Sequence, residues 1–389
     1  MMQIGGGHAS TASDHFFQGH GSARLRCLSL TICLGTLTIL QCAEAQKVVA
    51  LVPLEAYGQA IRFNPVTHKI YAVDEPGNNI VEIDEQTLEE TVIALGPTTE
   101  KSLNGDIRVD SSRNRVYAIN VSNSNLAVVD CSSRTLRFVP VGTHPTALEI
   151  NTRTGKVYVV NTDSDNVTAI DGASLKTTTI AVGQAPLGIA IDERTDTIYV
   201  TNSHSDTVSI INGKNNKVRT VASGPYPNAV AVNSVSRRAY VGNLQGDTIT
   251  VIHGRSKRTK RIKVSPYPFC IVVNERTNKI YLNHQALKAI TVMDGRTNAV
   301  AIIGSGIIPA GAPDGLALDE LRNKIYVGEW ATRVTIIDGA TEVATSLSNP
   351  GGNTRRIVAN PASNAFYTLN MTDNVNHKPL SSVTIFAGP

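Results

Sequence analysis

The chain has 389 residues, with 36 Lys+Arg against 32 Asp+Glu and 17% charged residues, where about 25% is ordinary. A formal net charge of +4 is too weak to mark a nucleic-acid binder, and 41% hydrophobic residues exclude a disordered chain. The length allows two or three ordinary domains unless the chain is a repeat array.

The first predicted element is a leader. Arg24 and Arg26 precede an apolar run over 27–40, and Ala43-Glu44-Ala45 follows. A basic region, a short apolar region and an A-x-A site are the pattern of a secretory signal peptide. The apolar run is shorter than the roughly 20 residues that span a bilayer. Cleavage is expected after Ala45, so that 1–45 is leader and 46–389 a single secreted or periplasmic domain with no transmembrane segment. Cys27, Cys33 and Cys42 leave with the leader, and the mature chain keeps Cys131 and Cys270.

After a lone predicted strand at 47–53 comes a repeat. Eight tyrosines recur in one local context: Tyr71, Tyr117, Tyr158, Tyr199, Tyr240, Tyr281, Tyr326 and Tyr367. Their spacings are 41 residues in five cases, with one of 46 and one of 45. Seven residues before each stands Asn or Asp: Asn64, Asp110, Asn151, Asp192, Asn233, Asn274, Asp319 and Asn360. Three residues after stand Asp74, Asn120, Asn161, Asn202, Asn243, His284, Glu329 and Asn370. Three phased columns over eight copies are not a chance product.

Each copy reads as four short strands rich in Val, Ile and Thr with polar turns between. In the third copy these are 147–150, 156–160, 166–170 and 177–182. The Asn or Asp column is a turn device, its side chain accepting from the backbone two residues on. The tyrosines suit the space between sheets, with the hydroxyl at an edge. Four antiparallel strands in about 42 residues make one blade of a β-propeller. There are eight inner triples of strands but only seven outer strands, beginning near 91, 136, 177, 217, 259, 299 and 342. The eighth triple ends the chain at 382–387, so the strand at 47–53 is free to complete the last blade and close the ring. The expectation is an all-β, eight-bladed propeller, with seven blades as the alternative.

The segments Lys156-Val157-Tyr158-Val159-Val160-Asn161 and Ile198-Tyr199-Val200-Thr201-Asn202 resemble the YVTN β-propeller repeat family, the YncE-like propellers, as does Val208-Ser209-Ile210-Ile211-Asn212. Tyr199-Val200-Thr201-Asn202 reads the family signature letter for letter. The resemblance covers 47–389 and implies an exported propeller; family members serve mixed roles, so it names no activity.

In a four-stranded blade, the crossover from outermost to next innermost strand shares a face with the loop between strands two and three. All three length variations fall on this crossover face, at 96–105, 304–313 and 371–381. Variable loops on a rigid scaffold carry function. Fourteen residues before the phased tyrosines stand Tyr57, His144, Ala185, Tyr226, Tyr267, Ala312 and Asn353, with Leu103 in the expanded second copy. Twelve before stand Gln59, Thr146, Leu187, Asn228, Phe269, Asp314 and Arg355. Both columns open the innermost strands beside the central funnel. Candidate ligand-binding residues are therefore Tyr57, His144, Tyr226, Asn228, Tyr267, Phe269, Asp314, Trp330 (the only tryptophan) and Arg355. Aromatic rings beside polar groups suit a small polar ligand or a peptide segment of a protein partner. The bland alternative is that they only seal the ring and meet water.

His144, His204 and His284 with Glu329 are the candidate ligands of a divalent metal, which would support a hydrolase or lyase at the funnel mouth. They come from different copies with no local H-x-H or H-E-x-x-H spacing, and His377 maps to the same face. No haem, phosphate-loop or nucleophile-elbow motif is present, and no cofactor is expected beyond such a metal. Arg255, Lys257, Arg258, Lys260, Arg261 and Lys263 form a run without an acid. On an outer strand they block edge-to-edge pairing; the lesser alternative is contact with nucleic acid or another anionic polymer. Cys131 and Cys270 map to opposite blades, too far apart for a disulfide. The sequence thus favours a monomeric, non-catalytic binding scaffold over an enzyme.

Overall fold

The computed structural model describes residues 46–389 apart from 55–57, 75–77, 96–104, 285–286, 305–312, 361, 373–379 and 389. The leader, Tyr57, His377 and most of the three length-variable loops lie outside the described residues. The rest is all-β: eight sheets of four antiparallel strands, arranged as the blades of a ring. The seven-blade alternative is excluded. Seven blades run outward in chain order, and the eighth is completed by Lys47–Leu54, which pairs with the last strand, Leu380–Ala387. The chain's first strand thus lies outermost in its last blade. Innermost strands of neighbouring blades touch all the way round, including blades 8 and 1.

Within a blade the second and third strands are the buried ones. Lys156–Asn161 and Asn166–Asp171 of blade 3 bury nearly every residue, because both faces of the sheet are covered by neighbouring blades. The outermost strands are mostly exposed and rich in Thr, Arg and Lys, as at Val218–Ala222 and Thr259–Lys263. Such side chains discourage another chain from adding to the open edge.

The phased tyrosines hold blade to blade. All eight are 0–1% exposed. Each packs into the core of the following blade: Tyr117 with Leu148 and Val157, Tyr199 with Ala239 and Val241, and Tyr367 with Phe63 and Ile70. Burying a side chain of this size is worth roughly 1.5–3 kcal/mol. The hydroxyls reach the turn between strands three and four of that next blade. In five copies this turn opens with glycine, and in blade 8, which has no such turn, the Tyr326 hydroxyl accepts from Gln46 at 3.2 Å. A Cβ at Gly339 would stand 2.7 Å from the Tyr281 hydroxyl. Blade 2 has Cys131 there, whose Sγ accepts from Tyr71 at 3.4 Å, and blade 1 has Glu85, which accepts from Tyr367.

The Asn/Asp turns form as expected and do more. Asn151 Oδ1 accepts from the backbone N–H groups of Arg153 and Thr154 at 3.1 and 3.2 Å. Its amide then donates across the seam to Asp196 Oδ1 at 2.7 Å, as Asn233 does to Asn278 and Asn274 to Asn323. The column is therefore both a turn and a tie between blades. Cys131 and Cys270 are free thiols.

Candidate functional site

Seven of the eight innermost strands carry a β-bulge beside their first residues, for example between Pro145 and Ala147 and between Thr354 and Arg356. A bulge inserts a residue and re-aims side chains. Here it turns two consecutive positions, twelve and eleven before the phased tyrosine, into one channel. The result is a central cavity of about 780 Å³ lined by Gln59, Thr146, Leu187, Asn228, Phe269 and Arg355 from the first position. Asp106, Cys270, Gly315 and Arg356 line it from the second. Arg62 adds a third tier, nine before its tyrosine, and Arg108 and Glu149 of that tier face the opposite mouth.

The wall is polarised. Blades 8, 1, 2 and 3 contribute Arg355, Arg356, Arg62, Asp106, Arg108 and Glu149, while Glu193 of blade 4 and Glu275 of blade 6 add carboxylates at the opposite mouth. At the same two deeper positions, blades 4–7 carry only Gly188, Ala190, Ala229, Ala231, Cys270, Val272, Gly315 and Ala317. Arg62 Nη2 donates to Asp106 Oδ1 at 3.0 Å, and Arg108 Nη1 donates to the same oxygen at 2.6 Å. Arg108 Nε also meets Glu149 at 3.2 Å. Arg356 Nη1 donates to the carbonyl of Arg355 at 2.9 Å, and Arg355 Nη1 lies 3.2 Å from Met371 Sδ.

Crowding of like charge shows in the protonation equilibria. Burial and the neighbouring guanidiniums of Arg108 and Arg356 pull Arg62 down to about 10, although Asp106 and Glu149 act the other way. Burial opposes the Asp106 charge, but Arg108 and Arg62 outweigh it and hold its carboxyl below the usual range. Arg108 is raised, because Asp106 and Glu149 more than offset its burial. The acids thus serve Arg108 well and Arg62 poorly.

Among the sequence candidates, Asn228, Phe269 and Arg355 meet in the funnel. Asp314 lies in the strand Pro313–Asp319 of the same wall; its side chain is outside the description. His144, Tyr226 and Tyr267 sit above the wall, on the rim of the crossover face. All three have positive φ, 52°, 50° and 58°, just before a proline. The backbone N–H of Tyr226 is held by Asp206 Oδ1 at 2.9 Å, so these positions are turns as much as contacts. Tyr267 and Trp330 are 48% and 49% exposed.

The metal candidates are not brought together. His144 is exposed and its Nδ1 lies 3.2 Å from Asp163. The exposed His204 ring lies 5.9 Å from that of Tyr226. His284 and Glu329 are fully buried. They replace the asparagine that closes strand two in five other copies, and they bond the same strand-three hydroxyl with the direction reversed. Asn161, Asn202 and Asn243 donate to a Thr or Ser hydroxyl on strand three at 2.9–3.2 Å. His284 Nε2 meets Thr291 Oγ1 at 2.7 Å, and Glu329 accepts from Thr335 at 2.5 Å. His284 Nδ1 lies 3.0 Å from the carbonyl of Pro266, which can only accept, so this nitrogen carries the proton. No group of three or more His, Cys, Asp or Glu among the described residues is placed to hold a metal.

The basic run lies on the outermost strand of blade 5, Thr259–Lys263, and the turn before it. Arg255, Arg258, Lys260, Arg261 and Lys263 are exposed; Lys257 lies over the Tyr199 ring at 5.7 Å. Lys263 pairs with Asp247 at 3.6 Å.

Sequence reasoning missed Arg62, Asp106, Arg108, Glu149 and Arg356. The signal was present: in columns otherwise filled by Ala, Gly, Val and one Cys, five charged residues break the pattern. Strict alternation hid it, because in seven blades a bulge brings adjacent columns into one channel.

No family model matches the sequence, and no curated protein does. Among solved structures, a chain of Kuenenia stuttgartiensis hydrazine synthase is similar, with a TM-score of 0.57 and 19% identity. The match covers 71% of this chain and 95% of that one. At this identity the likeness concerns the fold alone.

Proposed function

We propose that the chain is an exported propeller scaffold of the YVTN type that binds a small ligand in its central funnel from the crossover face. The carrying observation is the 780 Å³ cavity, whose wall mixes Phe269 and Leu187 with Asn228, Gln59, Thr146 and Arg355. Concave, partly apolar sites with a few convergent polar groups are where small molecules bind. The export reading rests on the leader pattern at 1–45, and the family reading on the repeat signature around Tyr199. Tyr226 and Tyr267 precede the innermost strands at the rim, and Trp330 follows the second strand of its blade on the same face. There they would contact any part of a ligand or peptide that projects from the funnel.

Thermal shift against a panel of small acids, phosphates, sugars, amines and short peptides tests the reading. At least one class should raise the midpoint of the native chain but not of a plugged Thr146→Trp/Leu187→Trp variant that is shown to be folded. Compounds that stabilise both equally, or a panel that stabilises neither, would sink it.

A further inference from the structure

We infer that the funnel ligand is an organic oxyanion, a carboxylate or phosphate group joined to an apolar body. This inference rests on the funnel reading above. Three guanidiniums, Arg62, Arg355 and Arg356, line the cavity with one described carboxylate, Asp106, while Arg108 faces the opposite mouth with Glu149, Glu193 and Glu275. Counting Asp314 from its place in the sequence still leaves cations ahead in the cavity, three to two. Glu149 is committed to Arg108, and Asp106 is divided between Arg108 and Arg62. Arg355 has no carboxylate within salt-bridge distance among the described residues; its Nη1 meets a thioether.

The geometry suits an anion for three reasons. A cleft with low-dielectric walls and one sign of charge focuses the field and concentrates counter-ions inside it. The guanidinium fork matches carboxylate and phosphate with two parallel hydrogen bonds. An added anion would also offset the repulsion from Arg108 and Arg356, which adds to burial in depressing Arg62. The apolar body follows from the ring. In an eight-bladed ring blade 8 faces blade 4 and blade 2 faces blade 6, so Arg355 looks toward Leu187 and Asp106 toward Phe269. A ligand anchored on the arginines would lay the rest of its length on that apolar half.

Isothermal titration of the full chain with phenyl phosphate, benzoate, inorganic phosphate, benzyl alcohol and benzylamine tests the inference. Phenyl phosphate or benzoate should bind at one site, more tightly than inorganic phosphate, and the preferred one identifies the head group. Affinity should weaken with added salt and fall at least tenfold in Arg355→Gln and in Arg62→Gln. Arg355→Lys should recover part of the loss. Lys260→Glu/Arg261→Glu, on the outer edge, should leave binding unchanged. Should Arg62→Gln fail to fold, Arg355→Gln decides alone, since it leaves both carboxylates paired. If benzyl alcohol or benzylamine bind in the funnel and the anions do not, the oxyanion class is wrong while the funnel reading stands. Anion binding that survives Arg355→Gln but is lost in the outer-edge variant would place the anion on the basic run and overturn the inference. If no probe binds and the panel above also fails, both readings fall together.

Discussion

At each of the eight seams a buried tyrosine enters the core of the next blade, and an Asn or Asp caps the adjoining turn. On the funnel wall, a few residues earlier in the same repeats, the position nine before the tyrosine holds Arg62, Arg108, Glu149, Ala190, Ala231, Val272, Ala317 and Val358 in turn. The seam repeats one residue; the wall repeats none of its charged ones in register with blades 4–7. A seam residue must fit a copy of its own blade, so its shape is set by the repeat. A wall residue faces a channel and packs against little, so it is free to carry chemistry.

The contrast can be broken most severely at the ring closure. Deleting Lys47–Leu54 leaves blade 8 with three strands and uncovers the edge of Leu380–Ala387. The expected outcome is loss of cooperative unfolding or association of chains through that edge, read by calorimetry and sedimentation. A point change at one seam should cost less but still much: Tyr199→Ala is expected to lose about 3–5 kcal/mol in denaturant titration, as for other large buried rings. Equal stability in that variant would mean that the seams do not hold the ring.

The two departures from the asparagine column sharpen the comparison through pH. Burial lowers the His284 pKa below the usual 6.5 despite the Pro266 carbonyl, which favours the charged form. The unfolded chain then binds a proton first, so this group's contribution is lost as pH falls from 6.5 through the folded value. Burial raises Glu329 above the usual 4.5, only partly offset by Thr335. Here the folded chain holds the proton longer, so stability falls as pH rises from 4.5 through the folded value and stays lower above it. His284→Asn and Glu329→Asn, each restoring the column's common residue, should remove these two slopes in unfolding free energy measured against pH. The smallest effect is expected on the wall. Leu187→Ala, half-buried in the funnel, should cost about 1 kcal/mol or less, within the range of ordinary substitutions. A cost near that of Tyr199→Ala would show that the wall is packed as tightly as the seam.

Most of the architecture was legible before any coordinates. Phase alone located the blades, because a residue that must meet its neighbour's copy recurs at a constant interval. Strand counting alone assigned 47–53 to the last blade. The candidate site was legible only in part. Asn228, Phe269 and Arg355 were found because they open the innermost strands, whereas Arg62, Asp106 and Arg108 lie deeper in positions that look like ordinary alternation. His284 and Glu329 drew attention as chemical oddities, yet each bonds the strand-three hydroxyl that an asparagine reaches in other copies, accepting where the asparagine donates.

What the sequence by itself determined is therefore the repeat: eight blades, their four strands, their turns and the order in which they close. Those follow from local contacts and from one interface used eight times. Which side chains share the central channel was decided only by the tertiary structure. Residues from different blades, some of them separated by hundreds of positions in the chain, meet across a ring axis that no local pattern records. The bulge that turns two adjacent positions inward is visible only once the strands are paired.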